Sequence, residues 1–340
     1  MTAKDIAVKL GISTATVSLA LNNRPGVAES TRQKVLNEAG AAGLLTNRKK
    51  TNQKTIELLH YRKNGSRGYT SYTAQIFSSV IEGVENQARG QNCVLMIRQA
   101  DRESLFPELY AIDRKKIDGI LLMGTELSEE QIDFSSRIGI PMILVDNFTD
   151  QAELSSISID NIQGIELAVS HLVQMGHTDI GYLHVESNSQ NFSERYFGFL
   201  RAMRMSGLPI KEGNIVYFAS AYGGEEAFHE LKSKLVKMKH MPTAFVTDND
   251  IVAVYTLRAL RELGYLVPRD VSLVGFDDIA AGQYQDPPLT TVTISKRQMG
   301  ASAVNQLIEL MNGRMEGIQK TLIRTKLIQR KSVRNMRDDL

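Results

Sequence analysis

The chain has 340 residues, 42% of them apolar and 23% charged, a balance that fits two or three ordinary globular domains and excludes a disordered or fibrous chain. Its one cysteine, Cys93, excludes an internal disulfide and argues against a cysteine-based zinc site. The net charge of +2 hides an asymmetry: residues 1–54 carry nine Lys/Arg against three Asp/Glu, and the remainder carries 31 against 35. A basic head on a mildly acidic body is the electrostatic pattern of a nucleic-acid binder. Polar residues interrupt the first fifteen positions, and the longest apolar runs, such as 120–123, are far too short to cross a bilayer. No secretory or membrane segment is therefore expected, and a cytoplasmic location is.

In the head, Thr2 is a helix N-cap candidate, and Ile6, Ala7 and Leu10 fall on one helical face. Gly11 suits the exit of that helix, Ser13 or Thr14 can cap a second one, and there Val17, Ala20 and Leu21 point inward. The run Asn22-Asn23-Arg24-Pro25-Gly26 is turn chemistry, and a third amphipathic helix spans 29–42. Two short helices about a glycine turn, then a third, is the arrangement that lays the second helix in the DNA major groove. Its exposed positions would be Thr14, Ala15, Thr16, Ser18, Leu19 and Asn22, whose small or hydroxyl side chains can approach base edges or phosphates. The residues alone leave a three-helix protein-interaction module as the alternative, which the basic charge disfavours.

From residue 56 onward, short apolar runs alternate with helical patterns. Strands are predicted at 55–61, 92–98, 118–124 and 141–147, and after a restart at 179–185, 214–219, 243–248 and 271–278. Helices fall between them, among them 76–88, 162–174, 195–205, 224–239 and 251–263. That alternation predicts two doubly wound parallel α/β lobes, with ligand binding beyond the carboxyl ends of the strands. Polar residues gather at those ends: Asp146-Asn147, residues 186–193, Asp248-Asn249-Asp250 and Asp277-Asp278. Each alone reads equally as a cap or turn residue; their repetition at one end of successive strands points to a shared polar cleft. No phosphate-cradling glycine loop, nucleophile elbow or metal-spaced His/Cys cluster occurs, and the six histidines are scattered. Neither an enzyme nor a metal or cofactor is expected. A transport-type sugar-binding protein shares the two-lobe plan, but the basic helix-turn-helix in front points to gene regulation.

The stretch DIAVKLGISTATVSLALNNRPGVAESTRQKV at 5–35 resembles the head of the lactose/galactose-repressor (LacI/GalR) family almost throughout. The core resembles the same family over nearly all of 56–335, in FSSVIEGVE (77–85), IPMILVDN (140–147), SIDNIQGIELAVSHLVQMGHTDIGYL (158–183), RYFGFLRAM (195–203), TDNDIVAVYTLRAL (247–260), VPRDVSLVGFDD (267–278) and PPLTTV (287–292). The resemblance implies a helix-turn-helix head at 1–46, a basic linker at 47–55 and a core of periplasmic-binding-protein type at 56–335. The first lobe would take about 56–158 and 289–317, the second about 159–288 and 318–335. It implies a repressor whose affinity for operator DNA is controlled by a small effector, a sugar or sugar derivative, acting as a homodimer without membrane attachment. Thr14 and Ala15 would read bases, with Leu19 beside them where a longer polar residue often stands. Ser13, Thr16, Ser18 and Asn22 would meet phosphates or frame the helix. Thr2, Arg24, Asn47, Arg48 and Lys49 complete the DNA-facing set. Phe77 would cover the effector ring beside Ile76, with Phe218 in the second lobe, and Asp146, Ser189, Asn191, Arg195, Asn249 and Asp277 would form the polar set. The chain departs from the family in its linker, where no leucine follows Arg48-Lys49-Lys50 to wedge into the minor groove, so a basic tether is expected. It departs again at Tyr255, where the family commonly has glycine.

Overall fold

The computed structural model describes residues 2–21, 24–41, 53–63, 71–187, 189–219 and 224–339. It divides into two compact units, Met1–Gln53 and Lys54–Leu340.

The first unit contains α1 (Ala3–Leu10), α2 (Thr14–Leu21) and α3 (Glu29–Ala41). Thr2 opens α1 in a capping box: its hydroxyl accepts from the Asp5 N–H, and the Asp5 carboxylate accepts in return from the Thr2 N–H. Gly11 takes φ 65°, the left-handed conformation that lets the chain turn toward α2 at no steric cost. Ile6, Ala7, Val17, Ala20, Val35 and Ala39 close one small core, as the helical spacing of the sequence requires.

The second unit begins with β1 (Thr55–Tyr61), α4 (Ser71–Gly90), β2 (Val94–Ala100), α5 (Leu105–Tyr110), β3 (Gly119–Met123), α6 (Glu129–Ser136), β4 (Met142–Val145) and β5 (Ser155–Ile159). It continues through α7 (Asn161–Gln174), β6 (Ile180–Val185), α8 (Gln190–Met205), β7 (Ile215–Phe218), α9 (Glu225–Val236), β8 (Ala244–Thr247), α10 (Asp250–Glu262), β9 (Ser272–Phe276), α11 (Ala280–Gln283) and β10 (Thr290–Ile294). It ends with α12 (Lys296–Met311), β11 (Lys320–Ile323) and β12 (Thr325–Ile328). Two six-stranded sheets result, ordered β11-β5-β4-β3-β1-β2 and β12-β10-β9-β8-β6-β7. The pairings are parallel except β10 with β12. Helices bury both faces of each sheet, which is why the strands read as apolar runs. No helix of the described residues is long and apolar enough to cross a membrane.

The chain crosses between lobes three times, after β5, after β10 and after β11. The expected return of 289–317 to the first lobe is corrected accordingly. Strand β10 belongs to the second sheet, paired with β9 and β12, and it is α12 that returns. Strand β11, expected in the second lobe, pairs with β5 in the first. The physical reason is that alternation identifies a strand but not the sheet whose edge it completes. Helices α4 and α12 pack closely at two glycines: a Cβ on Gly83 would stand 2.1 Å from the Arg297 carbonyl, and one on Gly300 2.2 Å from that of Val80.

Candidate DNA-reading helix and interlobe ligand site

In the head, the Ser13 hydroxyl accepts the Thr16 N–H at 3.0 Å and lies 2.9 Å from the Thr16 hydroxyl, so it caps α2. Thr14, Ala15 and Ser18 are exposed, Thr16 and Leu19 half-buried. With Val17 and Ala20 turned inward, α2 offers solvent a row of small and hydroxyl side chains. Such a surface can lie against a groove. Arg24 is exposed, and its carbonyl accepts from Arg32 at 2.9 Å. Thr2 uses its hydroxyl in the α1 capping box. Asn22, Asn47, Arg48 and Lys49 lie outside the described residues, as does most of the linker.

In the core, the strand-end aspartates occupy matched places in the two lobes. Asp146 follows β4 with φ 58°, its N–H bonded to the Ile157 carbonyl at 2.8 Å. Asp277 follows β9 with φ 106°, its N–H bonded to the Val292 carbonyl at the same distance. Left-handed backbone at a non-glycine residue costs energy, and strain of this kind clusters where side chains must be aimed at a ligand. The structure brings most of the expected polar set to these two points. Arg195 on α8, 2% exposed, donates from Nε to Asn161 at 2.9 Å, from Nη1 to the Asp248 carbonyl at 2.6 Å and from Nη2 to Asp277 at 3.1 Å. Its guanidinium also lies 3.8 Å from the Phe276 ring centre. Asn191, one turn earlier, donates to Asp146 across the lobes at 3.2 Å and accepts from Asn161 at 2.9 Å. Ser189, buried, is the N-cap residue of α8. Asn249 caps α10, its side-chain oxygen accepting the Val252 N–H at 2.9 Å. Phe77 and Ile76 are half-buried on the first turns of α4. At the same end, Gln75 accepts the Ala280 N–H at 3.3 Å, a second contact between lobes.

Phe218 is corrected. It is 2% exposed and packs in the second lobe's own core with Val185, Val216 and Phe228. Along β7, alternation buries Val216 and Phe218 and exposes Tyr217.

The structure adds Asn161 and Lys296, which the sequence reading passed over, and gives partners to Asp248 and Asp250, which it named only as strand-end residues. Asn161, where the chain enters the second lobe, joins Arg195, Asn191 and the Glu194 carboxylate. The Asp248 carboxylate accepts from the Tyr182 hydroxyl at 2.6 Å and the Val185 N–H at 2.5 Å, with His184 Nδ1 at 2.9 Å. Those bonds hold in place the carbonyl that receives Arg195. Lys296 donates to the Asp277 carbonyl. Burial pushes the Asp146 carboxyl up to about 7, against the pull of Asn191 and Arg195. Burial likewise raises Asp250 to about 8; its oxygens accept from Thr291 at 2.5 Å and the Ile279 N–H at 2.9 Å. With Asp146 and Asp250 both raised, the site carries less negative charge near neutrality than its carboxyls would otherwise give, and it offers hydroxyl groups both donors and acceptors.

Two family descriptions match the chain: "Bacterial regulatory proteins, lacI family" over residues 2–39 and "Periplasmic binding protein-like domain" over 169–333. The HTH-type transcriptional repressor PurR of Haemophilus influenzae (strain PittEE) is 32% identical, over 98% of this chain and 99% of its own length. The lac repressor bound to ONPG in the repressed state superposes with TM-score 0.77 at 22% identity, covering 98% of this chain and 99% of that one. The CelR–cellobiose complex superposes with TM-score 0.70 at 22% identity and the same coverage.

Proposed function

The chain belongs to the LacI family of bacterial regulatory proteins, and on that premise we propose that a sugar or sugar derivative held between its lobes sets the affinity of its head for operator DNA. The protein is a sequence-specific DNA-binding transcriptional repressor. In the proposed mechanism α2 reads bases through Thr14, Ala15 and Leu19, while Ser13, Thr16, Ser18, Asn22 and Arg24 frame or hold the backbone. The basic linker, with Asn47, Arg48 and Lys49, adds phosphate contacts. Two heads on two half-sites call for a homodimer joined through the core. The role is one of binding, with no chemical step, and its place is the cytoplasm, where bacterial operators are.

The observation that carries the effector reading is the bridge Asp146–Asn191–Asn161–Arg195–Asp277, which joins both lobes through buried hydrogen bonds. A polyol inserted there exchanges its hydroxyls for these internal partners. The relative placement of the lobes, and with it the spacing of two heads, then depends on occupancy. An effector acts only through unequal affinity for the two states, typically about 1–3 kcal/mol of coupling. One of the similar structures holds cellobiose and another ONPG, which supports a carbohydrate-type occupant. Selection of bound duplexes from a random pool by the full-length protein tests the reading, followed by anisotropy titrations of the winner with sugars. The expected result is one enriched, roughly palindromic sequence whose affinity shifts with one class of sugar. A protein with no preference among duplexes, with or without sugars, overturns it.

A further inference from the structure

The first lobe holds, at the carboxyl end of β1, a buried polar atom that the bridge does not use. His60 stands near the carboxyl end of β1, in register with Met123 on β3 and Gln99 on β2. It continues the row of Ile56 and Leu58, the side chains that β1 turns toward Val80 and Val84 of α4. Where that row reaches the first turns of α4, the His60 ring meets the Phe77 ring, centroids 4.3 Å apart and planes tilted by 56°. His60 is 1% exposed, and its Nε2 has no hydrogen-bond partner among the described residues. Burial, seconded by Arg62, holds the imidazole neutral, with a pKa of about 4. Leaving a ring nitrogen buried and unbonded is costly, so a side chain kept for packing alone would be better served by an apolar residue of the same shape.

We propose that His60 is a specificity-determining effector contact, its Nε2 hydrogen-bonded to a hydroxyl of the ring that Phe77 covers. The inference rests on the interlobe effector reading. Three features point to a ligand in that place: the carboxyl end of a sheet strand, the neighbouring half-buried aromatic, and the unpartnered nitrogen. Strands β1 and β4 are two sheet neighbours apart, about 10 Å, a span that one sugar ring with a hydrogen bond at each end fills. The Nε2 of a neutral imidazole either donates or accepts, depending on the tautomer, and a hydroxyl can answer either form.

The test uses full-length protein with D-ribose, D-galactose, cellobiose, guanine and hypoxanthine as probes, screened by thermal upshift. The best probe is then titrated by calorimetry into wild type, H60F, H60Q and R195A, and into wild type labelled with 15N at histidine. The expected result is a shift of the His60 Nε2 resonance on saturation with a sugar while His171, His177, His229 and His240 stay put. H60F should lose about tenfold in affinity with an unchanged or higher Tm without probe, and H60Q should keep most of the binding. An Nε2 resonance that stays still, with H60F binding as wild type and R195A not at all, overturns the His60 assignment and leaves the cleft reading standing. A best probe that is a nucleobase overturns the hydroxyl assignment. Absence of upshift with every probe overturns both. The labelled wild type decides the matter even if H60F fails to fold.

Discussion

On α2 of the head, the groups offered to a partner are exposed or half-buried, and the Ser13 and Thr16 hydroxyls lie within hydrogen-bond distance of each other. In the core, the groups offered to an effector are buried and bonded to one another from Asp146 to Asp277. The difference follows from the partners. A DNA groove brings its own charges and hydrogen-bonding edges to a protein surface, so the reading residues need only stand clear. A small ligand must be surrounded, so its contacts are assembled inside the fold, where unsatisfied groups would be expensive. Recognition and stability are thus separable in the head and entangled in the core.

The sharpest way to break that contrast is R195A. Removing the guanidinium leaves Asp277 buried at 4% side-chain exposure without its ion pair, and leaves Asn161 and the Asp248 carbonyl without a donor. The loss should be about 3–5 kcal/mol of stability together with all response to effector, read by denaturant melts and by anisotropy. Operator affinity of the protein that remains folded should change little. Full stability with an intact response would show that the buried bridge is decoration.

A second break uses pH. Asp250 is raised by burial from its ordinary value to about 8, so the folded chain holds a proton that the unfolded chain releases between about pH 4 and 8. With more protons bound in the native state, its contribution falls as pH rises through that window. D250N removes this dependence. The difference in stability between D250N and wild type should grow in the variant's favour by up to about 5 kcal/mol from pH 4 to 8, measured by urea melts. A difference that stays flat with pH would show that Asp250 is ionised throughout. Buried His177, lowered to about 4, pulls the other way below pH 6.5, which is why the pair of proteins rather than wild type alone is compared.

What was legible in the sequence follows the same division. The α2 face was readable because exposure along a helix obeys its 3.6-residue period, and Val17 and Ala20 fix the phase. The strand-end aspartates were readable because β4 and β9 stop where the apolar run stops. Strand β5, Ser-Ser-Ile-Ser-Ile, escaped notice although all five residues are buried, because its small hydroxyl side chains fit between covered faces without looking apolar. Phe218 was misplaced because a shift of one position along a strand exchanges its two faces. Asp248 alone reads as a cap or turn residue, Asn161 carries no signal of its own, and His60 reads as part of an apolar strand. Their roles depend on partners 34 to 53 or more residues away, or on none, and periodicity carries no such information.

The head offers the gentler tests. Thr14 is exposed, so T14A should leave stability unchanged and cost about 1–3 kcal/mol of discrimination, seen as a flatter ranking of operator variants. Replacing Lys49 with alanine should weaken all duplexes alike and lower the slope of log affinity against log salt by about one. Smallest is S13A. The Ser13 hydroxyl already accepts the Thr16 N–H, so its loss should cost about 1 kcal/mol of local helix stability, visible as faster amide exchange at Thr16 and Val17 in the full-length protein. Because folding of α2 precedes any contact it makes, that loss should weaken every duplex by the same factor and leave their ranking as it was. A weakening greater than the exchange rates account for would mean that the same hydroxyl also meets a phosphate, and the separation of recognition from stability in the head would end at its first residue.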